Sequence, residues 1–191
     1  MDLPAPRAEP VDADEVTEQL SKLIQSAATA LGWDGTVVGP VTILGRRVGV
    51  IAELDPEVHA QRQASGWPPV VDRFEVAQWD WPELAAQVPA PAVRVAGVIA
   101  PAKHWLTGLF RAAVFARSWP TAVLLPRDYA RICVPPAVQY RVGVLGVTSG
   151  EVDVLRECPR PPDRSWLPAT ERWALEVVYD ALLTQPVREA P

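Results

Sequence analysis

Few side chains in this sequence belong to types that do covalent or metal chemistry, and their spacing limits what they can do. Histidine occurs only at His59 and His104, and cysteine only at Cys133 and Cys158. Together they would make up a zinc ligand set, but structural zinc ligands come in close pairs, and no such pair is present. Neither cysteine sits in a local nucleophile motif, so both read as buried, inert thiols. The phosphate-cradling GxxxxGK[ST] loop, the GxGxxG turn and the GxSxG elbow are all missing, which removes the usual nucleotide-hydrolysing, dinucleotide-binding and serine-hydrolase frameworks. Charge that could meet phosphate gathers at Arg111, Arg117, Arg127 and Arg131. Such arginines either contact a backbone or lay their stems on apolar neighbours at a solvated surface. Trp79, Trp81, Trp105 and Trp119 offer either base-stacking faces or core volume. Trp166 and Trp173 offer a partner anchor.

The elements that would position these residues follow from periodicity. Met1 to Val11 is rich in proline and reads as a disordered lead. Asp12 with Glu15 opens a helix whose apolar positions Val16, Leu20, Leu23, Ile24, Ala27 and Leu31 share one face, and Gly32 ends it. Val37–Leu44 and Val48–Leu54 flank Gly45-Arg46-Arg47 as a hairpin. Asp55–Ser65 suits a short helix, and Gly66-Trp67-Pro68-Pro69 breaks the chain. Val70–Ala77 alternates and is expected as a strand. Trp79-Asp80-Trp81-Pro82 opens a short helix or loop, and Pro89-Ala90-Pro91 punctuates again. Val93–Ala100 then reads as a strand, Trp105–Trp119 as a buried helix and Thr121–Leu125 as a second strand, the βαβ signature of a parallel pair. Tyr140–Val147 and Glu151–Leu155 form a second hairpin around Thr148-Ser149-Gly150. A final helix covers Ala169–Thr184, and Pro186 stops it. The expected organisation is a lead over 1–11, one globular domain over 12–185 and a tail over 186–191. The fold class is α/β (α+β), a mixed sheet with a central βαβ unit and helices from both ends of the chain on its faces.

From Val93 the chain runs Val-Arg-Val-Ala-Gly-Val-Ile-Ala-Pro-Ala-Lys-His-Trp, then a helix, then Ala-Val-Leu-Leu-Pro. With the hairpin that follows, this stretch of about residues 70–157 resembles the PD-(D/E)XK, or restriction-endonuclease-like, superfamily. There a strand carries an acid, one spacer and a lysine, and a helix leads to a parallel strand. The resemblance implies that carboxylates hold Mg²⁺, a hard cation that takes oxygen ligands. The metal activates water and stabilises charge on the phosphate, and the lysine orients that water. Lys103 stands at the lysine position, but Pro101 stands where the acid belongs. The helical Gln and Tyr positions of the RecB-like branches hold Arg111 and Phe115. Replacement acids would have to come from Asp72 or Glu75, with Asp72 as metal ligand, or from Glu53 and Asp55. Arg111 and Arg117 would be the nucleic-acid contacts. A missing carboxylate weakens Mg²⁺ binding, so the resemblance implies a non-catalytic relative with a DNA-associated or regulatory role. No cofactor is expected, apart from Mg²⁺ if catalysis survives.

Composition sets the remaining bounds. The chain has 191 residues, of which 49% are hydrophobic and 21% charged, so it can bury a substantial core. Its formal net charge is −5, with 23 acidic and 18 basic residues. That balance argues against a broadly basic nucleic-acid footprint but leaves a local basic stripe open. Scarce cysteine, no apolar leader and no long apolar run point to a soluble cytoplasmic protein without a membrane role. Eight tryptophans and 21 prolines also suit an interaction or assembly component with no nucleic-acid role.

Overall fold

The structure is a computed structural model that describes residues 13–84, 87–162 and 166–184. The Pro-rich lead, the Asp12 cap, Pro186 and the tail lie outside the described residues. Helix α1 (Ala13–Ala30) buries Ile24, Ala27 and Ala28. It ends at Gly32, whose φ of +64° is the left-handed conformation that glycine adopts without a Cβ penalty. Strands β1 (Thr36–Ile43) and β2 (Arg46–Leu54) pair antiparallel as expected. Helix α2 (Pro56–Ala64) begins where Asp55 accepts from the backbone N–H groups of Glu57 and Val58, with Pro56 pre-set for the first turn.

The expected strand over Val70–Ala77 is instead a loop followed by helix α3 (Arg73–Ala77). Two interactions, one local and one tertiary, override the alternating pattern. Asp72 caps the helix by accepting from Phe74 N–H at 2.8 Å. The Trp173 indole takes the Val71 carbonyl at 2.8 Å, so that group is not free for a sheet ladder. A 3₁₀ turn over Gln78–Asp80 follows.

Strand β3 (Val93–Pro101), helix α4 (Trp105–Ala113) and strand β4 (Thr121–Pro126) form the expected parallel unit, although the helix stops at Ala113 and continues as turns to Trp119. A second crossover follows through helix α5 (Arg127–Tyr140) to β5 (Gly143–Thr148), again parallel, and β6 (Glu151–Arg156) closes antiparallel. Helix α6 (Ala169–Thr184) ends the described fold. The six strands lie in sequence order in one mixed sheet. Leu109 and Ala112 of α4, Cys133 and Ala137 of α5, and Val178 and Tyr179 of α6 share one core with one face of the sheet. Helix α1 covers the other face, meeting Ile51, Ile99, Leu124 and Leu145. Gly97 lets this layer close, because a Cβ there would stand 2.2 Å from the Trp33 ring. Among the described residues no helix is long and apolar enough to cross a membrane.

One buried polar network fixes α2 and the loop after it to α6. Arg62 donates to both carboxylate oxygens of Glu176, at 2.7 and 2.8 Å, and to the carbonyls of Pro68 at 2.9 Å and Trp67 at 3.4 Å. Glu176 also accepts from Val70 N–H at 2.9 Å. The guanidinium stacks 4.7 Å from the Tyr179 ring centroid, and the Tyr179 hydroxyl shares a 2.8 Å hydrogen bond with His59 Nδ1. Burial raises the Tyr179 hydroxyl above its ordinary value; the Arg62 charge pulls it down and the Glu176 charge pushes it up.

Candidate functional site: the carboxyl edge of the parallel strands

Open α/β sheets take their ligands outside the carboxyl ends of parallel strands, where loops meet helix N-termini. Here that edge is built from Pro101-Ala102-Lys103-His104 after β3, Pro126-Arg127 after β4 and Thr148 after β5. Strand β2 runs antiparallel to β3 with Gly49 opposite Ile99. Following that register back along β2 brings Arg46 and Arg47 to the same edge as Lys103.

Lys103 is exposed. Arg111 reaches back from α4 and donates to the Pro101 carbonyl at 2.6 Å. Arg127 pairs with Asp153 of β6, and Arg131 lies one turn further along α5. Arg47 donates to the Thr17 hydroxyl of α1 at 3.3 Å. The His104 ring meets Tyr129 edge-on, with centroids 5.3 Å apart, which ties the start of α4 to α5. The acidic side chains on these strand ends are Asp128, Glu151 and Asp153, fewer than the basic ones. Both helices start without a side-chain cap, at His104 and at Pro126. Their first-turn N–H groups therefore add partial positive charge to the edge.

The sequence-derived site residues divide between the two ends of the sheet. Asp55 N–H bonds the Ala92 carbonyl, just ahead of β3, and Glu53 pairs with Arg94. Helix α3, carrying Asp72 and Glu75, packs on α6 near Trp173, where Arg73 covers the indole at 4.8 Å. The first turn of α6 meets Ser118, ahead of β4, through a 2.6 Å bond to Glu171. All four acids therefore lie at the amino end of the β3–β4 pair. Lys103 lies at the carboxyl end, across a strand of nine residues, roughly 30 Å at 3.3 Å per residue. The structure does not bring Lys103 together with Asp72 or Glu75. It does bring Arg111 to the Pro101 carbonyl, two residues before Lys103, while Arg117, in the turns beyond α4, sits at the far end.

This donor set does not fit Mg²⁺. The cation needs carboxylate and water oxygens, and at Pro101 the nearest charged group is the Arg111 guanidinium. Among the described residues no cluster of three His, Cys, Asp or Glu side chains has metal-holding geometry. The thiols offer no nucleophile either. Burial pushes Cys133 up to about 11, and burial, the first of several influences, pushes Cys158 up to about 12.

Of the tryptophans, Trp105 and Trp119 pack against the core, Trp173 is half-buried, and Trp81 and Trp166 are exposed. Sequence reasoning missed Arg46 and Arg47 as site residues because they were read only as a turn. The available signal was geometric: an antiparallel β2 beside β3 must bring its hairpin tip to the lysine end of β3. No protein-family model matches the chain, and neither a curated protein nor a solved structure matches it significantly.

Proposed function

We propose that this protein is a non-catalytic module of nuclease-like architecture that holds a DNA backbone along the carboxyl edge of β3, β4 and β5. The observation that carries the reading is the alignment of Arg46, Arg47, Lys103, Arg111, Arg127 and Arg131 with two uncapped helix starts on that edge, in a chain whose net charge is −5. Phosphate is attracted by such a row whatever the base sequence. The rest of the acidic surface keeps the duplex from binding elsewhere.

The parallel β3–β4 pair bridged by α4 supports the nuclease-like part of the reading. Pro101, which has no ligating side chain, and the Arg111 guanidinium on its carbonyl support the non-catalytic part, because neither can hold a metal ion. The module acts by occupancy, retaining a duplex without cutting it.

The test is a mobility shift of a short duplex in Mg²⁺ buffer beside a plasmid-cleavage assay. A shift that Lys103→Ala and the Arg46→Ala/Arg47→Ala pair both weaken, with the plasmid intact, supports the reading. No shift at protein concentrations of about 100 μM, the weak end of non-specific binding, overturns the DNA role. Plasmid cleavage that Lys103→Ala abolishes overturns the non-catalytic role.

A further inference from the structure

Helices α4 and α5 lie side by side on the sheet, and the groove between them is lined by large apolar side chains that no described element covers. Leu106 and Phe110 line it from α4, with Val114 at its end. Tyr129, Ile132 and Tyr140 line it from α5, spaced so that they share a side of that helix. Each is exposed, Phe110 at 51% and Ile132 at 55%. Phe110 and Tyr140 meet edge-on with centroids 6.0 Å apart, so side chains of both helices join in one apolar surface. These helices already bury Leu109, Ala112, Ala130, Cys133 and Ala137 against the sheet. The outward apolar row is therefore surplus to folding, and continuous apolar surface of this kind marks an interaction site.

The charges around the groove say what covers it. Lys103 stands at one end, Arg117 and Arg141 at the other and Arg111 on the α4 flank, against Asp128 alone among the described acidic residues of these two helices and their ends. We infer that this groove docks an acidic amphipathic helix of a partner protein, with its apolar face on Phe110 and Ile132 and its carboxylates over the basic ends. Such a helix presents anchors at i, i+4 and i+7. A second copy of this face is excluded as occupant by the like charges that would then meet. The groove shares Lys103 and Arg111 with the DNA-holding edge, but its apolar anchors Phe110 and Ile132 and its far-end Arg117 are not part of that edge, so variants at these three test it separately.

The probe is a fluorescein-labelled amphipathic peptide of roughly 18 residues, about five helical turns, with Leu at the anchor positions and Glu elsewhere. A matched peptide carries Lys in place of Glu. Anisotropy with the full chain should show saturable binding of the Glu peptide and weak or no binding of the Lys peptide. Phe110→Asp and Ile132→Asp should each weaken the Glu peptide about tenfold or more, as loss of an aromatic or central anchor does. Arg117→Glu should weaken it less and reduce its salt dependence. The substituted side chains are half-exposed, and unchanged circular dichroism confirms folding. Absence of Glu-peptide binding, equal binding of the Lys peptide, or an unchanged affinity in Phe110→Asp each overturns the inference. So does a dimer in sedimentation that Ile132→Asp dissolves, since that would make a second copy the occupant.

Discussion

Replacing Arg62 by alanine leaves the Glu176 carboxylate buried with a single remaining donor, Val70 N–H. Both partners are nearly inaccessible, their side chains 3% and 4% exposed, so water cannot replace the guanidinium. Breaking a buried pair by removing one partner costs about 3–5 kcal/mol, because an uncompensated charge stays behind. The carbonyls of Pro68 and Trp67 lose their donor as well. Against a total stability of about 5–15 kcal/mol, that loss is a large fraction. At 2–4 °C per kcal/mol for a chain of this size, it lowers Tm by roughly 6–20 °C. Urea denaturation followed by tryptophan fluorescence measures it directly. The Arg62→Met/Glu176→Leu double variant should recover most of the loss, because two apolar side chains leave no orphaned charge. A loss below about 1 kcal/mol in Arg62→Ala, or a double variant as unstable as the sum of the singles, refutes the reasoning about this network.

Two further outcomes test other parts of the fold. Gly97→Ala drives a Cβ into the Trp33 ring and should cost about 1–3 kcal/mol by overpacking, read from the same denaturation curves. Cys133 and Cys158 are raised from an ordinary value of 9.0 to about 11 and about 12. A raised thiol keeps its proton in the folded state after the unfolded chain has lost it. The contribution to stability is therefore complete below about pH 9 and is lost as pH climbs toward 11 to 12. Denaturation midpoints measured across that window should fall less steeply in Cys133→Ala than in the parent, and an identical slope contradicts the assignment.

Much of the fold was legible because its signals are local and agree with one another. The α1 apolar face, the Gly32 stop, the two hairpins and the strand–helix–strand unit from Val93 to Pro126 each have a periodicity that packing then uses. The stretch from Arg127 to Tyr140 was not legible, and Tyr140, expected to open a strand, instead ends helix α5. Helix α5 contains Pro135 and Pro136, which remove backbone donors and disfavour helix before them. Its buried positions Ala130, Cys133 and Ala137 are too small to give a strong apolar stripe. What holds α5 in place is tertiary, the crossover between parallel strands β4 and β5. The Val70–Ala77 segment was misread for the same kind of reason, since the Trp173 bond to Val71 comes from a residue far along the chain. At the site, Lys103 and Arg111 were each singled out in the sequence, but the return of Arg111 to the end of β3 was not. Arg46 and Arg47 join them only through the β2–β3 register, and the distance from Lys103 to Asp72 and Glu75 depends on which end of the sheet α3 packs against.

The central claim is that phosphate is held by the cationic row at the carboxyl edge, and the salt dependence of duplex binding tests it most directly. Each neutralised phosphate contributes about −0.9 to the slope of log K against log salt concentration. With Arg111 held by the Pro101 carbonyl and Arg127 paired with Asp153, the other four cations of the row predict a slope of about −3.6 for the parent protein, and Lys103→Ala or Arg131→Ala should each reduce its magnitude by about 0.9. A slope near zero, or one that these substitutions leave unchanged while Arg117→Ala alters it, would contradict the account.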